Sequence, residues 1–493
     1  MTRARVVLQS AAWWLAPSLL CLLLYWRGFA SWFRADDFAW LGVGLYIRNF
    51  HDFLSAMFSP QAQGTIRPLS ERAFFMAGFG IFGLDALPFR IVIFATQFAN
   101  LALVAWIGAR LTGVRAAGFW AAIFWVLNSS QILPLGWICV YNQVMCGFFL
   151  LLALHFLMKF VETGHERYNL YQWTVFLLGF GALELNLVYP ALAAGYSLLC
   201  APKYFRRTLP MFAVSLVYVA LHTAVAPLKT GSYAMHFTGA MFRTLAKYWT
   251  WSVGPVFMET PLLLPKWALP AGVAVVSIAL LGFLAVRLRT GTRAALFCLV
   301  WYVATIAPVL PLRDHQTEYY VFLPVIGLCW LGGWAMAEAW RSGSRAKVGA
   351  TALAVLYAFL VVPEAVATTN WNYRITMRVR NLVESVAQAH ELYPAKSIML
   401  DGIDTDLFWN GILDRPFRLF DVEHVYLTPG SERRIEAHPD LGNVNDYILP
   451  GYLTARALER DELVVYDARG PRLRNITSVY TALPRDTRLP QRV

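Results

Sequence analysis

Charge is scarce in this chain. Asp, Glu, Lys and Arg together make 15% of its 493 residues, while hydrophobic residues reach 58%, against about 45–50% in soluble domains. That balance excludes a disordered chain and an ordinary soluble enzyme. Cysteine is sparse too. Cys21, Cys139, Cys146, Cys200, Cys298 and Cys329 all fall in or beside apolar segments, so no disulfide framework is expected and no spacing reads as a zinc site. No repeat period and no low-complexity tract is evident. Nor is there a basic stripe or a zinc-type or Gly-rich module that would turn the net charge of +12 into a nucleic-acid footprint. No nucleic-acid partner is expected.

What the chain has instead is long apolar runs. A hydrocarbon core about 30 Å thick takes roughly 20 apolar residues per helical span. After Arg3 and Arg5 comes an apolar stretch at about 6–26, too long for a signal peptide and followed by no small-residue cleavage site. It reads as an uncleaved first span. Further spans fall at about 88–109, 116–134, 141–160, 170–186, 187–202, 208–226, 267–286, 294–312, 319–340 and 347–365. The pairs Arg110/Arg115 and Lys159/Arg167, then Lys203/Arg206/Arg207, Arg287/Arg289/Arg293 and Arg341/Arg345/Lys347, all alternate onto the side of Arg3 and Arg5. By the positive-inside bias that side is cytoplasmic.

The expectation is an all-α polytopic membrane protein of about eleven transmembrane helices over 1–365, with a small C-terminal α/β domain over 366–493 outside the cytoplasm. Two outer loops precede that tail. The first, about 27–87, carries an apolar but glycine-interrupted piece at 70–83 that suits an interfacial helix. The second, about 227–266, carries an amphipathic piece at 241–251. In the tail, charges become frequent, a helix near 373–390 is expected, and β-like runs stand at 397–400, 422–427 and 463–466.

The chemistry-bearing residues gather at the outer face. Asp36-Asp37, in Phe33-Arg34-Ala35-Asp36-Asp37-Phe38, stands just beyond the first span, where a charge escapes most of the cost of about 2.5–3.5 kcal/mol at the bilayer centre. It reads either as a solvated helix-end pair or as a general base beside a supporting carboxylate, one pKa driven up by its neighbour and opposed by Arg34. Arg67-Pro68-Leu69 opens the interfacial helix, with proline in the first turn. Arg67 is either a snorkelling arginine or a phosphate contact, for which its fork of donors is suited. A third patch runs Arg313-Asp314-His315-Gln316-Thr317-Glu318-Tyr319-Tyr320, read as an exterior turn with an aromatic belt or as part of a site. Lys229, His236, Arg243 and Lys247 of the second loop are on the same face. Glu184 is the one acid well inside an apolar stretch, a functional candidate by default or a helix cap near the outer surface.

In this order the pieces resemble one family. An acidic pair after the first span, followed by Arg67-Pro68-Leu69 before an interfacial helix, is similar to the GT-C superfamily of polytopic glycosyltransferases, and within it to the protein O-mannosyltransferases and their bacterial relatives. Ile81-Phe82-Gly83-Leu84 leading to Pro88-Phe89-Arg90 follows that pattern. So do Ala122-Ile123-Phe124 leading to Pro134 and Trp137, and Thr317-Glu318-Tyr319-Tyr320-Val321-Phe322-Leu323-Pro324 before a late span. The resemblance covers about 1–365. The chain departs from it where Asp36-Asp37 replaces the usual Asp-Glu and where Tyr319 replaces an arginine, for which Arg313 or His315 are the substitutes at hand.

The resemblance implies a transferase that takes a sugar from a polyprenyl-phosphate donor in the bilayer and passes it, with inversion, to an acceptor glycan, lipid or protein hydroxyl on the non-cytoplasmic face. Asp36 is then the general base and Asp37 its companion. Arg67, Lys229, His236, Arg243, Lys247, Arg313 and His315 are the candidates to meet the departing phosphate, with Glu318, Tyr320 and Glu184 in support. No cofactor is implied with certainty; a divalent metal fits the chemistry, but no ligand cluster stands out. A bacterial inner membrane is the expected location. The competing readings are a lipid-linked substrate transporter or flippase, against which the absence of repeated halves weighs, and a sensor or scaffold built on the tail.

Overall fold

The computed structural model describes residues 3–60, 64–225, 231–256 and 265–482, with side chains from Trp13 onward. The chain divides into two compact units. The larger comprises Met1–Ala30, Met57–Phe74 and Leu87–Asn370, and the smaller Ser31–Ala56, Phe75–Ala86 and Trp371–Val493.

The larger unit is helical throughout. Its centre is the packing of helix Arg115–Leu127 against Val325–Ser342 and Ala86–Thr112. Side chains are missing where the backbones meet: a Cβ on Gly118 would lie 1.9 Å from the Ala105 carbonyl oxygen, and one on Gly333 would lie 2.3 Å from that of Ala117. Small residues at such crossings let helices gain close packing where lipid gives no hydrophobic drive. Three buried indoles lock the same region. Trp125 Nε1 donates to Phe322 O at 2.9 Å, Trp301 Nε1 to Leu323 O at 2.8 Å and Trp330 Nε1 to Val104 O at 2.9 Å, so no indole N–H among these three is left orphaned in an apolar interior.

Among the described residues, five helices are long and apolar enough to cross a membrane: Ala86–Thr112, Ile138–Thr163, Pro202–Val225, Ala268–Arg289 and Ser344–Leu392. A sixth is the pair Arg115–Leu127 and Ser129–Gly136, bent by 65°. The protein is an integral membrane protein; against the expectation of about eleven spans, helix Arg3–Phe29 covers the first. Several apolar stretches fold as shorter pieces. The run at 116–134 breaks at Asn128, whose side chain accepts from Ser130 N and donates to Ser252 O and Tyr357 Oη. The stretch 170–186 ends as a helix at Gly179 and continues as a 3-10 turn over Glu184–Val188. In the other direction, the span expected at 347–365 and the helix expected at 373–390 form one helix, Ser344–Leu392, which carries Pro363 inside it.

In the smaller unit the late part of that helix shows a buried stripe, Val379, Leu382, Val383, Val386 and Ala389, the three-to-four spacing of an amphipathic helix. A four-stranded sheet follows: β1 Ser397–Asp401, β2 Val425–Leu427, β3 Leu463–Asp467 and β4 Arg474–Asn475, in the order β2-β1-β3-β4. β1 is parallel to both β2 and β3, and β4 is antiparallel to β3. The β-like runs seen in the sequence supply β1, β2 and β3. Helix Thr405–Gly411 lies between β1 and β2 in the chain, and helix Gly451–Glu459 between β2 and β3, as parallel strands require a crossover. Met399, Leu463, Val465 and Tyr480 form a core cluster of this sheet.

Candidate functional site

Asp36 and Asp37 belong to the smaller unit, and the backbone around them is strained and braced. Ala35 has φ +45°, unfavourable for a residue with a Cβ, and its N–H donates to Asn410 O at 2.7 Å. The turn this creates starts the short helix Asp37–Leu41. Asp37 is fully buried, and its Oδ2 accepts from the Arg34 backbone N–H at 3.0 Å. Asp36 beside it is exposed. One carboxylate of the pair therefore holds the turn while the other faces outward.

The Asn410 contact marks where the tail meets this turn. Helix Thr405–Gly411 ends there, and the chain reverses through Ile412–Arg415, with Arg415 N–H donating to Ile412 O at 2.9 Å and Arg415 itself at φ +49°. Asp414 sits in that reversal. Its Oδ2 is buried with no hydrogen-bond partner. Burial, with the charges of Asp36 and Asp37 adding to it, pushes the Asp414 carboxyl up to about 7. Three carboxylates thus form one electrostatic group, one member of which titrates near neutrality. Sequence reasoning missed Asp414, because nothing in Leu413-Asp414-Arg415-Pro416 announces a contact with a segment so distant in the chain.

The remaining candidates belong to the larger unit, in two groups. Arg67 lies at the start of the turn Pro68–Ala73, with proline at its head as expected. It does not stand open. Its Nε donates to both oxygens of Glu184, at 3.2 and 2.9 Å, and its Nη1 donates to Glu71. Glu71 also accepts from Asn142 Nδ2 at 3.3 Å and Thr65 Oγ1 at 3.4 Å, and lies 3.9 Å from Arg72 Nη1. Two guanidiniums and two carboxylates balance, as a buried cluster must. Glu184 is neither a lone intramembrane acid nor a simple helix cap: it is the second counter-ion of Arg67.

The second group is built on the outer loops. Helix Ala240–Val253 packs through Tyr248 and Trp251 against Val321 and Tyr302, and Gln316 Nε2 donates to Thr244 Oγ1 at 3.1 Å. Arg313 grips Asp314 through two hydrogen bonds of 2.8 Å, and His236 Nε2 lies 3.2 Å from the same carboxylate. The hydrogen bonds of Arg313, with its charge and that of His236, outweigh burial and hold Asp314 below the usual carboxylate range. His315 stacks on Tyr233 at 4.0 Å and meets Tyr320 edge-on at 5.9 Å. Arg243 is exposed, and Lys247 Nζ lies 4.7 Å from the Trp251 ring centre. Glu318 opens the turn Glu318–Val321 and is half-buried. Lys229 lies outside the described residues.

Among the described residues, no three His, Cys, Asp or Glu side chains converge to hold a metal ion. The larger unit also contains an apolar cavity of about 330 Å³, lined by Phe124, Val276, Leu280, Leu328, Met336 and Tyr357 among others.

No family model matches the chain, and no curated protein does. Among solved structures it is similar to ArnT from Cupriavidus metallidurans bound to undecaprenyl phosphate, at 11% identity, covering 95% of this chain and 93% of that one, with a TM-score of 0.48. It is also similar to the Archaeoglobus fulgidus oligosaccharyltransferase tethered to an acceptor peptide, at 10% identity, covering 93% of this chain and 68% of that one, with a TM-score of 0.49.

Proposed function

We propose that this protein is a membrane glycosyltransferase that moves a sugar from a polyprenyl-phosphate donor to an acceptor hydroxyl on the non-cytoplasmic face of a bacterial inner membrane, inverting the anomeric carbon. The observation that carries the proposal is the Asp36, Asp37 and Asp414 group, in which an exposed carboxylate adjoins one whose carboxyl stands at about 7. A positioned carboxylate serves as a general base where it can reach the proton it takes. Asp36, exposed, takes the proton of the acceptor hydroxyl as its oxygen attacks the anomeric carbon and the bond to phosphate breaks. Asp37 holds the turn in shape through Arg34 N–H, and Asp414 tunes the group by sharing its charge.

The departing lipid phosphate carries developing negative charge, which preorganised cations stabilise. Within the larger unit, the exposed Arg313, Arg243 and Lys247, with His236 and His315, form a cationic group suited to a phosphate. Arg67 is already held by the two carboxylates of Glu71 and Glu184 and is assigned to bracing the turn Pro68–Ala73 instead.

The test is release of polyprenyl phosphate from a labelled polyprenyl-phosphate sugar by the purified protein, with and without Asp36→Asn. Acceptor-dependent release in the wild type and its loss in the variant support the reading. Acceptor-dependent movement of intact donor across the bilayer with no bond cleavage would establish a flippase instead.

A further inference from the structure

The sheet of the smaller unit has a topological switch point. From β1 the chain crosses to β2 on one side and then returns to β3 on the other, so the connections leave β1 and β3 in opposite directions and open a crevice beyond their carboxyl ends. Ligands of open α/β sheets bind at that place.

Here the crevice is shaped and charged. Its lining includes Arg378 and Asn381 of helix Ser344–Leu392, Leu407 after β1, and Arg469 and Arg472 after β3, around a cavity of about 240 Å³. Gly402, at φ +81°, leaves the space that Arg469 occupies, since a Cβ there would lie 2.4 Å from Arg469 Cγ. The cations are held in place by the strand ends. Arg469 Nη2 meets Asp401 Oδ2 at 2.5 Å, Arg434 Nη2 meets Asp401 Oδ1 at 2.8 Å, and Arg378 Nη2 meets Asp404 Oδ2 at 2.5 Å. Arg474 pairs with Asp467 at 3.2 Å. Arg472 is exposed and, among the described residues, makes no ion pair.

Of the three guanidiniums that line the crevice, Arg378 and Arg469 are each paired with a carboxylate, and Arg472 is the one left to meet an anion. Through Asn381, Arg472 and Leu473 the crevice continues into an open trough of about 650 Å³, lined by Ser385, Gln388 and Tyr466. That volume is within the range of about 300–1,000 Å³ of small-molecule sites. Amides and hydroxyls arrayed along a trough pair with the alternating donors and acceptors of sugar hydroxyls, an aromatic ring supplies an apolar face, and a guanidinium fork takes a carboxylate or phosphate bidentately. Glu384, which also lines the trough, is engaged by Arg380 Nε at 2.7 Å.

We infer that this crevice and trough bind an anionic saccharide, with Arg472 on its carboxylate or phosphate and Asn381, Ser385 and Gln388 on its hydroxyls. Resting on the transferase reading, the saccharide is the acceptor, or the part of it beyond the hydroxyl that is glycosylated.

Binding is measured by calorimetry on the purified full-length protein without donor, so nothing turns over and the result is independent of whether transfer occurs. The probes are tetragalacturonic acid, a phosphorylated maltotetraose, neutral maltotetraose and inorganic phosphate. Saturable binding of one or both anionic saccharides is expected, at least roughly tenfold tighter than neutral maltotetraose or phosphate alone, since one charge-assisted pair contributes about that much. Which of the two binds tells carboxylate from phosphate. Arg472→Glu should weaken that binding at least roughly tenfold, and Asn381→Ala should weaken neutral and anionic sugars alike. No binding of either anionic saccharide, equal affinity for the neutral one, or unchanged affinity in Arg472→Glu would overturn the inference. Inorganic phosphate binding as tightly as the saccharides would overturn the trough's part in it. The transferase reading is tested separately by donor cleavage in Asp36→Asn.

Discussion

Replacing Asp414 with Asn should change how the protein's stability depends on pH. In the folded chain this carboxyl stands at about 7, lifted from 3.8 by burial and by Asp36 and Asp37. Between those values the folded state holds a proton that the unfolded state has released, so stability falls as pH rises through the window. The stabilisation is complete below about 3.8 and lost above about 7. The width of about three pH units, at 1.36 kcal/mol per unit, amounts to about 4 kcal/mol at most, a sizeable part of a total that is commonly about 5–15 kcal/mol. The three carboxylates titrate as a group, so the loss belongs to all of them together.

Asparagine keeps the shape and cannot ionise. The variant should therefore lose most of this slope and be the more stable protein at pH 8, by several degrees in melting temperature. Asp36→Asn removes one repelling charge, which should move the window down rather than abolish it. The assay is thermal unfolding of detergent-purified protein from pH 4.5 to pH 8.5, wild type against both variants. Parallel curves for wild type and Asp414→Asn would refute the reasoning, because Asp414 would then ionise as an ordinary surface carboxylate.

Asp36→Asn should lower sugar transfer by about two orders of magnitude or more, the usual contribution of a positioned base, with the folded protein recovered in normal yield; donor cleavage assays check it, and full activity would remove Asp36 from the chemistry. Asp37→Asn should reduce stability through the turn it holds with Arg34, seen as a lower melting temperature, and should reduce transfer less than Asp36→Asn does. Glu184→Gln leaves Arg67 with one carboxylate instead of two, and a loss of about 1–3 kcal/mol should appear in thermal unfolding. Gly118→Val should prevent the helix crossing, since a Cβ there would lie 1.9 Å from a carbonyl oxygen, and should be read as loss of monodisperse protein in size-exclusion chromatography.

Much of the helical plan is legible in the sequence, because span-length apolar runs such as 88–109 and 267–286 need only local composition to declare themselves. The breaks are less legible. Asn128 interrupts a span through bonds to Ser252 and Tyr357, which no local window contains, and the span expected at 347–365 runs on without a break into the helix expected at 373–390. The β-like runs supply β1, β2 and β3 because Ser397–Asp401 and Leu463–Asp467 are nearly continuous apolar runs, as strands buried on both faces are. The functional residues divide along the same line. Asp36-Asp37 is conspicuous as an acidic pair at the end of an apolar run. Glu71 and Asp414 are not, since what distinguishes them is a partner brought by folding from a distant part of the chain.

The pairing of Arg67 with Glu184 has a bearing on how the chain is made. Glu184 leaves the ribosome 117 residues after the arginine it neutralises, so Arg67 gains its second counter-ion only when that later stretch has been made. In the chain, the turn that carries Glu184 follows the packed hairpin of Tyr141–Thr163 and Glu166–Gly179. The ion pair is thus a latch between segments far apart in the chain, complete only when both have been made.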